Sequence, residues 1–101
     1  MSWATEIISR LKDGETVSFR PKGNSMTPKI KSGDLCTVEP IKNNDVIANN
    51  DIVLCKVNGN QYLHIVSAVK GDLIQISNNH GRINGWTNHK NIFGKLVKVD
   101  K

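Results

Sequence analysis

The sequence predicts a mainly β chain with one short helix at its N-terminus. From residue 15 onward, short runs rich in Val, Ile and Leu are separated by turn signals, a pattern typical of consecutive β-strands. The turn signals lie at residues 43–45, 58–60, 70–72 and 84–85. The segment before residue 15 has a different period, which indicates a helix.

The helix is predicted over residues 1–14. Four large apolar residues recur there at 3.6-residue spacing and would form one face that covers a sheet. These residues are Trp3, Ile7, Ile8 and Leu11. Ser2 is a suitable N-terminal cap, and Gly14 is a suitable residue to end the helix.

Six strands are predicted in the remaining β-rich core, residues 15–99. They span residues 17–20, 35–39, 51–57, 61–69, 73–77 and 92–99. Asn58-Gly59 favours a two-residue hairpin because both residues tolerate positive φ. Gly71-Asp72 favours a second hairpin, so three consecutive strands should form a meander. Residues 77–91 have little apolar periodicity and are predicted to be a long surface loop.

Size and composition predict a single domain, residues 1–101, in a cytoplasmic protein. The net charge of +5 comes from scattered Lys and Arg, which is typical of a solvated surface and makes nucleic acid the less favoured partner. No apolar run is long enough for a membrane span. Cys36 and Cys55 lie in apolar runs without metal-ligand spacing, so neither a metal nor another cofactor is expected.

Ser25 is the candidate nucleophile because it lies in a shaped turn. Gly23 opens this turn, Pro28 closes it, and Gly33-Asp34 leads into the next strand. A serine hydroxyl needs a base that takes its proton. His64 is the candidate base because it interrupts an apolar strand and shares one strand face with Tyr62.

Five ordered sequence boxes resemble the superfamily of LexA-type and signal-peptidase-type serine peptidases. They lie at residues 23–34, 50–53, 63–66, 78–79 and 92–97. Their letters are GNSMTPKIKSGD, NDIV, LHIV, NN and IFGKLV. The resemblance implies coiled β-sheets with a partly open barrel.

The resemblance also implies roles for individual residues. Ser25 matches the nucleophile, and His64 matches the base of the Ser-His branch, which resembles the archaeal and endoplasmic-reticulum signal peptidases. The substrate and the oxyanion would lie near four further residues, namely Asn24, Met26, Asn78 and Asn79. With Gly23 in place of a hydroxyl residue, the Ser25 amide would be the main oxyanion donor.

The chain departs from the Ser-His pattern in the part that orients the base. Ile65 replaces an arginine, and the segment after residue 77 offers asparagines in place of aspartates. A Ser-His-Asp triad is therefore not expected, and Asn78, Asn79 or Asn84 would orient the imidazole. The small size and altered site favour a compact, stand-alone member, with a phage origin as one expectation.

Two functions follow from this resemblance. The first is a soluble serine peptidase that uses a Ser25-His64 dyad on an extended peptide. The alternative is a catalytically inactive binding module with the same fold, which recognises a host or phage protein. Both functions imply a peptide or protein partner, and the oligomeric state stays open.

Overall fold

The computed structural model describes residues 3–42 and 44–101. Within these ranges the chain forms one α-helix, a short 3₁₀ helix and seven β-strands. Helix α1 spans Thr5–Lys12, and the 3₁₀ helix spans His89–Asn91. The strands are β1 Val17–Phe19, β2 Leu35–Pro40, β3 Ile52–Val57, β4 Asn60–Lys70, β5 Leu73–Ser77, β6 Ile83–Asn88 and β7 Ile92–Asp100.

The described strands form one open antiparallel sheet in the order β1-β2-β7-β3-β4-β5-β6. β1 and β6 are the edges and do not pair with each other, so the sheet does not close into a barrel. This arrangement confirms the mainly β fold class with one short helix. Because β7 lies between β2 and β3, the C-terminal strand joins the two halves of the sheet.

Both predicted hairpins are confirmed. Val57 pairs with Asn60 across Asn58 and Gly59, whose φ angles of 50° and 83° suit a two-residue turn. Lys70 pairs with Leu73 across the second turn. The predicted meander of β3, β4 and β5 therefore forms, and β6 extends it by one strand.

The predicted loop over residues 77–91 is wrong in most of its length. It contains β6 and the 3₁₀ helix, so only residues 78–82 connect β5 to β6. The sequence does not predict β6 because this edge strand pairs only with β5 and buries one residue, Thr87. Its sequence therefore shows little apolar alternation. The predicted turn at Asn84-Gly85 also lies within β6.

Asn84 and Gly85 form a β-bulge in place of a turn. Ile76 pairs with Gly85 and Ser77 pairs with Ile83, so Asn84 is the extra residue of β6. Gly85 has a φ of 141°, a conformation that side-chain-bearing residues rarely adopt. The bulge therefore depends on glycine and redirects the neighbouring asparagine.

Helix α1 covers the sheet as predicted, although it is shorter than expected. Ile8 and Leu11 are buried against the core, whereas Trp3 precedes the helix and is 52% exposed. Ser2 and Asn43, the start of the predicted turn at residues 43–45, lie outside the described residues. Ala4 holds the N-cap position and makes no side-chain cap.

Gly14 ends the helix as predicted. Its N–H donates to the Leu11 carbonyl at 3.0 Å, and the Glu15 N–H donates to the Arg10 carbonyl at 3.0 Å. With a φ of 89° at Gly14, these two bonds form a Schellman motif that satisfies the last carbonyls of the helix.

The close approach of α1 to the sheet depends on Gly94 of β7. A methyl group at this position would meet the Leu11 side chain and the Glu39 carbonyl, each at 3.0 Å, and would overlap the Val38 side chain. Leu11 and Val38 are both buried in the cluster beneath α1. The absence of a side chain at Gly94 therefore lets helix and sheet share one core.

We expect Gly94→Ala to lower the free energy of unfolding by about 2 kcal/mol, because an added methyl group overpacks a filled core. Urea denaturation measures the change. Lys98→Ala, on the exposed part of the same strand, is the control and should change stability by less than about 0.5 kcal/mol. Equal stability of the two variants would contradict this account of α1 packing.

Candidate functional site

Ser25 is exposed on a turn whose flanking residues are anchored in the core. Met26 and Ile30 are buried at 4% exposure each, and the Ile30 N–H donates to the Met26 carbonyl at 3.0 Å. The Thr27 N–H donates to the Asn24 carbonyl at 3.2 Å. Because the apolar residues after it are fixed, Ser25 is held in place although the residue itself is exposed.

Asp34 fixes the far end of this turn. Its carboxylate accepts a hydrogen bond from the Lys31 N–H at 2.8 Å and a charge-assisted bond from the Lys101 ammonium at 3.1 Å. The backbone bond from Lys31 is the main cause that lowers the pKa of Asp34, and Lys101 lowers it further. The carboxylate therefore remains charged and keeps the turn closed.

The structure brings Ser25 and His64 into direct contact. The Ser25 Oγ lies 3.0 Å from the His64 Nε2, although the two residues are 39 positions apart. His64 belongs to β4 and is 7% exposed. This distance is within the hydrogen-bond reach that proton transfer requires.

Asn84 is the residue that orients the imidazole. Its Oδ1 lies 2.7 Å from the His64 Nδ1, and it reaches the ring because the bulge in β6 directs its side chain inward. An amide oxygen only accepts, so Nδ1 carries the proton of the neutral ring. Nε2 is then an acceptor, and the Ser25 hydroxyl donates to it.

The surroundings of His64 favour the neutral imidazole. Burial lowers the pKa of His64, and the hydrogen bond to Asn84 opposes this shift only in part. Tyr62 stacks on the ring with centroids 4.8 Å apart and planes inclined by 24°. A neutral ring with a free Nε2 lone pair is the form that accepts a proton from serine.

No carboxylate contacts the imidazole among the described residues. The hydrogen bonds of His64 go to the Ser25 hydroxyl and the Asn84 amide, which are both neutral. The site is thus a Ser-His-Asn arrangement, in which the third member fixes the ring without adding a negative charge.

Asn79 joins the segment after β5 to the serine turn. Its N–H donates to the Ser25 carbonyl at 2.9 Å, and its side-chain amide donates to the Thr27 carbonyl at 2.8 Å. His80 Nε2 lies 2.9 Å from the Asn24 carbonyl, adding a third link. This segment therefore immobilises the backbone on both sides of the serine.

Asn78 stabilises its own turn, and no hydrogen bond joins it to Ser25 in the described part of the chain. Its Oδ1 accepts from the N–H groups of His80 and Arg82 at 2.9 and 3.0 Å. Asn24 is exposed beside the serine, and its carbonyl accepts from the Thr27 hydroxyl at 2.9 Å.

A cleft of about 630 Å³ opens beside the Ser25 hydroxyl. Its lining combines the serine turn, the first part of β4, the segment that follows β1 and the residue Trp3 ahead of α1. The lining residues are Trp3, Arg20, Pro21, Lys22, Gly23, Ser25, Met26, Ile30, Gln61, Tyr62, Leu63 and His64. Four of these residues, namely Trp3, Arg20, Lys22 and Gln61, were not predicted to belong to the site, although residues 20–22 directly precede the turn.

One side of β4 is unpaired where it lines the cleft. β4 pairs with β3 from Asn60 onward but pairs with β5 only from Ile65 to Lys70. In the described part of the chain, no strand therefore covers the β5 side of residues 60–64. The serine turn and this open strand edge thus border the same cleft.

The peptide groups that face this open side belong to Gln61 and Leu63. Val66 directs its N–H to Asp51 and its carbonyl to Asn50, both at 2.8 Å on the β3 side. Because peptide groups alternate along a strand, those of Gln61 and Leu63 point the other way. In the described chain, no strand pairs with these groups on that side.

Comparison with known proteins gives one family. The model described as Peptidase S24-like matches residues 1–97, and this family is part of the LexA and signal-peptidase-like superfamily that the sequence boxes resemble. No curated protein matches the chain. Among the described residues, no helix has both the length and the apolar character needed to cross a bilayer.

We expect the pKa of His64 to lie below the ordinary histidine value and to respond to the group at position 84. Asn84→Leu should lower it further, because a hydrogen bond that favours the imidazolium is lost. Asn84→Asp should raise it, because a carboxylate stabilises the imidazolium. NMR titration of the ring nitrogens measures each value.

Asn88→Leu is the matched control for this titration. Asn88 lies on the same strand, but its side chain accepts from Asn91 at 3.0 Å and does not bond the ring. An identical His64 midpoint in the wild type, Asn84→Leu and Asn84→Asp would show that Asn84 does not control the imidazole.

Proposed function

The chain belongs to the Peptidase S24-like family, and from this membership together with the site geometry we propose that it is a serine peptidase. Ser25 is the nucleophile, His64 is the general base, and Asn84 orients the base. The observation that carries the proposal is the 3.0 Å contact between the Ser25 hydroxyl and the imidazole nitrogen that is free to accept its proton.

The reaction begins when the Ser25 Oγ attacks a peptide carbonyl and its proton moves to His64 Nε2. The imidazolium then returns this proton to the leaving amine as the C–N bond breaks, which leaves an acyl group on Ser25. Water, deprotonated by the same imidazole, releases the acyl group and regenerates the serine. Throughout, Nδ1 keeps its bond to Asn84, so the ring does not rotate away.

The Ser25 amide is the proposed donor for the oxyanion. In the described part of the chain, no group accepts a hydrogen bond from this N–H, so it is available to the developing negative charge. Gly23 has no side-chain hydroxyl that would assist. The bonds from Asn79 and His80 hold the turn so that this amide keeps its direction.

The proposed substrate is an extended segment that pairs with the open side of β4. The peptide groups of Gln61 and Leu63 would supply strand-like hydrogen bonds, which fix a backbone irrespective of its side chains. His64 follows Leu63 on the same strand and contacts Ser25. A segment bound along this part of β4 would therefore lie next to the serine hydroxyl. The strand edge and the dyad thus act as one site.

The alternative is a binding module in which the same cleft holds a peptide without cutting it. The neutral Asn84 favours this alternative, because an amide does not stabilise the imidazolium that forms during catalysis as a carboxylate would. Both functions use the same cleft and differ in whether Ser25 reacts.

We expect a fluorophosphonate probe to label the wild-type protein at Ser25. Ser25→Ala should abolish labelling, and His64→Ala should slow it by roughly a hundredfold to ten-thousandfold, the usual contribution of a general base. Intact-mass spectrometry follows the adduct, and peptide mapping locates it.

Ser67→Ala and His89→Ala are the controls, because each removes the same functional group at a position that does not line the cleft. Both should react at the wild-type rate. A wild-type protein that fails to react, or a Ser25→Ala variant that is labelled equally, would leave the binding module as the function.

A further inference from the structure

The cleft beside Ser25 has an apolar wall and a cationic rim. Met26, Ile30 and Leu63 are buried in its wall, and the rings of Trp3 and Tyr62 flank them. Arg20 and Lys22 are exposed at the rim. No Asp or Glu occurs among the described lining residues, so the two charges are of one sign.

Neither rim charge is neutralised within the described chain. The Arg20 guanidinium donates to the Gly33 carbonyl at 2.7 Å, which holds it against the serine turn, and its remaining N–H groups are not engaged. Lys22 takes part in none of the ion pairs, which involve Arg10, Lys95, Lys98 and Lys101. The rim therefore presents two positive charges, of which Arg20 is held by its bond to Gly33, to a ligand that enters the cleft.

We propose that the cleft selects an extended peptide segment in which an acidic residue lies close to a large apolar side chain. The apolar side chain would pack against the cleft wall beside Trp3, which is 52% exposed. The carboxylate would meet Arg20 and Lys22 at the rim. This inference rests on the proposed function in taking the cleft as the substrate site, and it adds the class of substrate.

A peptide fits this cleft better than a nucleic acid strand, which is the other ligand that two cations and two aromatic rings would suit. The open side of β4 presents alternating N–H and carbonyl groups, which match the peptide groups of a strand. Both aromatic rings already have ring partners within the protein. Tyr62 stacks on His64 with centroids 4.8 Å apart, and Trp3 lies tilted against Phe19 with centroids 5.6 Å apart. Fewer ring faces are therefore open to bases.

The test measures peptide binding to the Ser25→Ala variant, which holds a peptide without cutting it. Three fluorescein-labelled peptides share one apolar frame around a leucine and carry glutamate, glutamine or lysine at the flanking positions. We expect the glutamate peptide to bind about tenfold more tightly than the glutamine peptide, with the lysine peptide weakest. Added salt should reduce this preference.

Two charge-reversal variants distinguish an effect of the charge at the cleft rim from an effect of the net charge of the protein. Lys22→Glu, made in the Ser25→Ala protein, should remove the preference for glutamate. Lys70→Glu, which changes the net charge equally but lies at the far end of β4, should keep it. Replacing the leucine of the peptide by serine should also weaken binding, because the apolar wall loses its contact.

Three results would overturn the proposal. The first is equal affinity for all three peptides, and the second is an equal effect of the two charge reversals. The third is a single-stranded oligonucleotide that binds more tightly than the glutamate peptide and loses this binding in Lys22→Glu. The proposed substrate class and the proposed peptidase function can be rejected independently. If the fluorophosphonate probe labels Ser25 but the protein does not prefer the glutamate peptide, only the substrate class is rejected. If the protein prefers the glutamate peptide but the probe does not label it, the peptidase function is rejected and the cleft remains a peptide-binding site.

Discussion

The hydrogen bond between Asn84 and His64 determines what the rest of the site is able to do. It places the ring proton on Nδ1, so Nε2 faces Ser25 as an acceptor. Without this bond the buried ring would be free to take the other tautomer, in which Nε2 carries a proton and no base faces the serine. One amide oxygen thus decides whether the pair has the arrangement of a nucleophile with its base.

The hydrogen bond from His64 to Asn84 positions the ring against Ser25 only if three separate parts of the chain are held in place. Met26 and Ile30 anchor the serine turn in the core, and pairing with β3 fixes the strand that carries His64. The bulge at Asn84 depends on the positive φ of Gly85. The site is therefore stabilised largely by apolar burial and strand pairing, while its own polar contacts set direction.

The absence of a carboxylate at the third position sets the chemical character of the proposed dyad. Burial already lowers the pKa of His64, and a neutral partner does little to stabilise the imidazolium. The ring is therefore held in the neutral form that faces Ser25 as an acceptor, but it is a weaker base than an ordinary histidine. The same feature makes the binding module a coherent alternative.

Local sequence signals predicted the elements with strong periodicity or turn chemistry. The Asn58-Gly59 hairpin and the Gly14 helix end are present. The roles of Ser25 and His64 as partners are instead implied by the family resemblance, and the structure places their side chains in contact. β6 was missed because edge pairing with β5 stabilises it and its own residues give little apolar alternation. Asn78, Asn79 and Asn84 were equal candidates for orienting His64 in the sequence. Only the bulge in β6, which the sequence does not predict, shows that Asn84 reaches the ring.

The cleft lining was the least predictable part. Trp3, Arg20 and Lys22 come together with β4 only through the tertiary fold, and nothing in their local sequence marks them as neighbours of His64. Their shared position near the serine turn becomes informative once the sheet order is known. Substrate features of such a site are therefore visible only in three dimensions.

The central claim is that Ser25 and His64 act as one unit, and a paired pH titration of one protein sample tests it most directly. The rate of Ser25 phosphonylation and the protonation of the His64 ring are followed over the same pH range. We predict that the rate rises with the neutral fraction of His64, that the two midpoints coincide, and that both move upward together in Asn84→Asp. A rate whose midpoint is independent of the His64 titration, or that ignores the residue at position 84, would contradict the account.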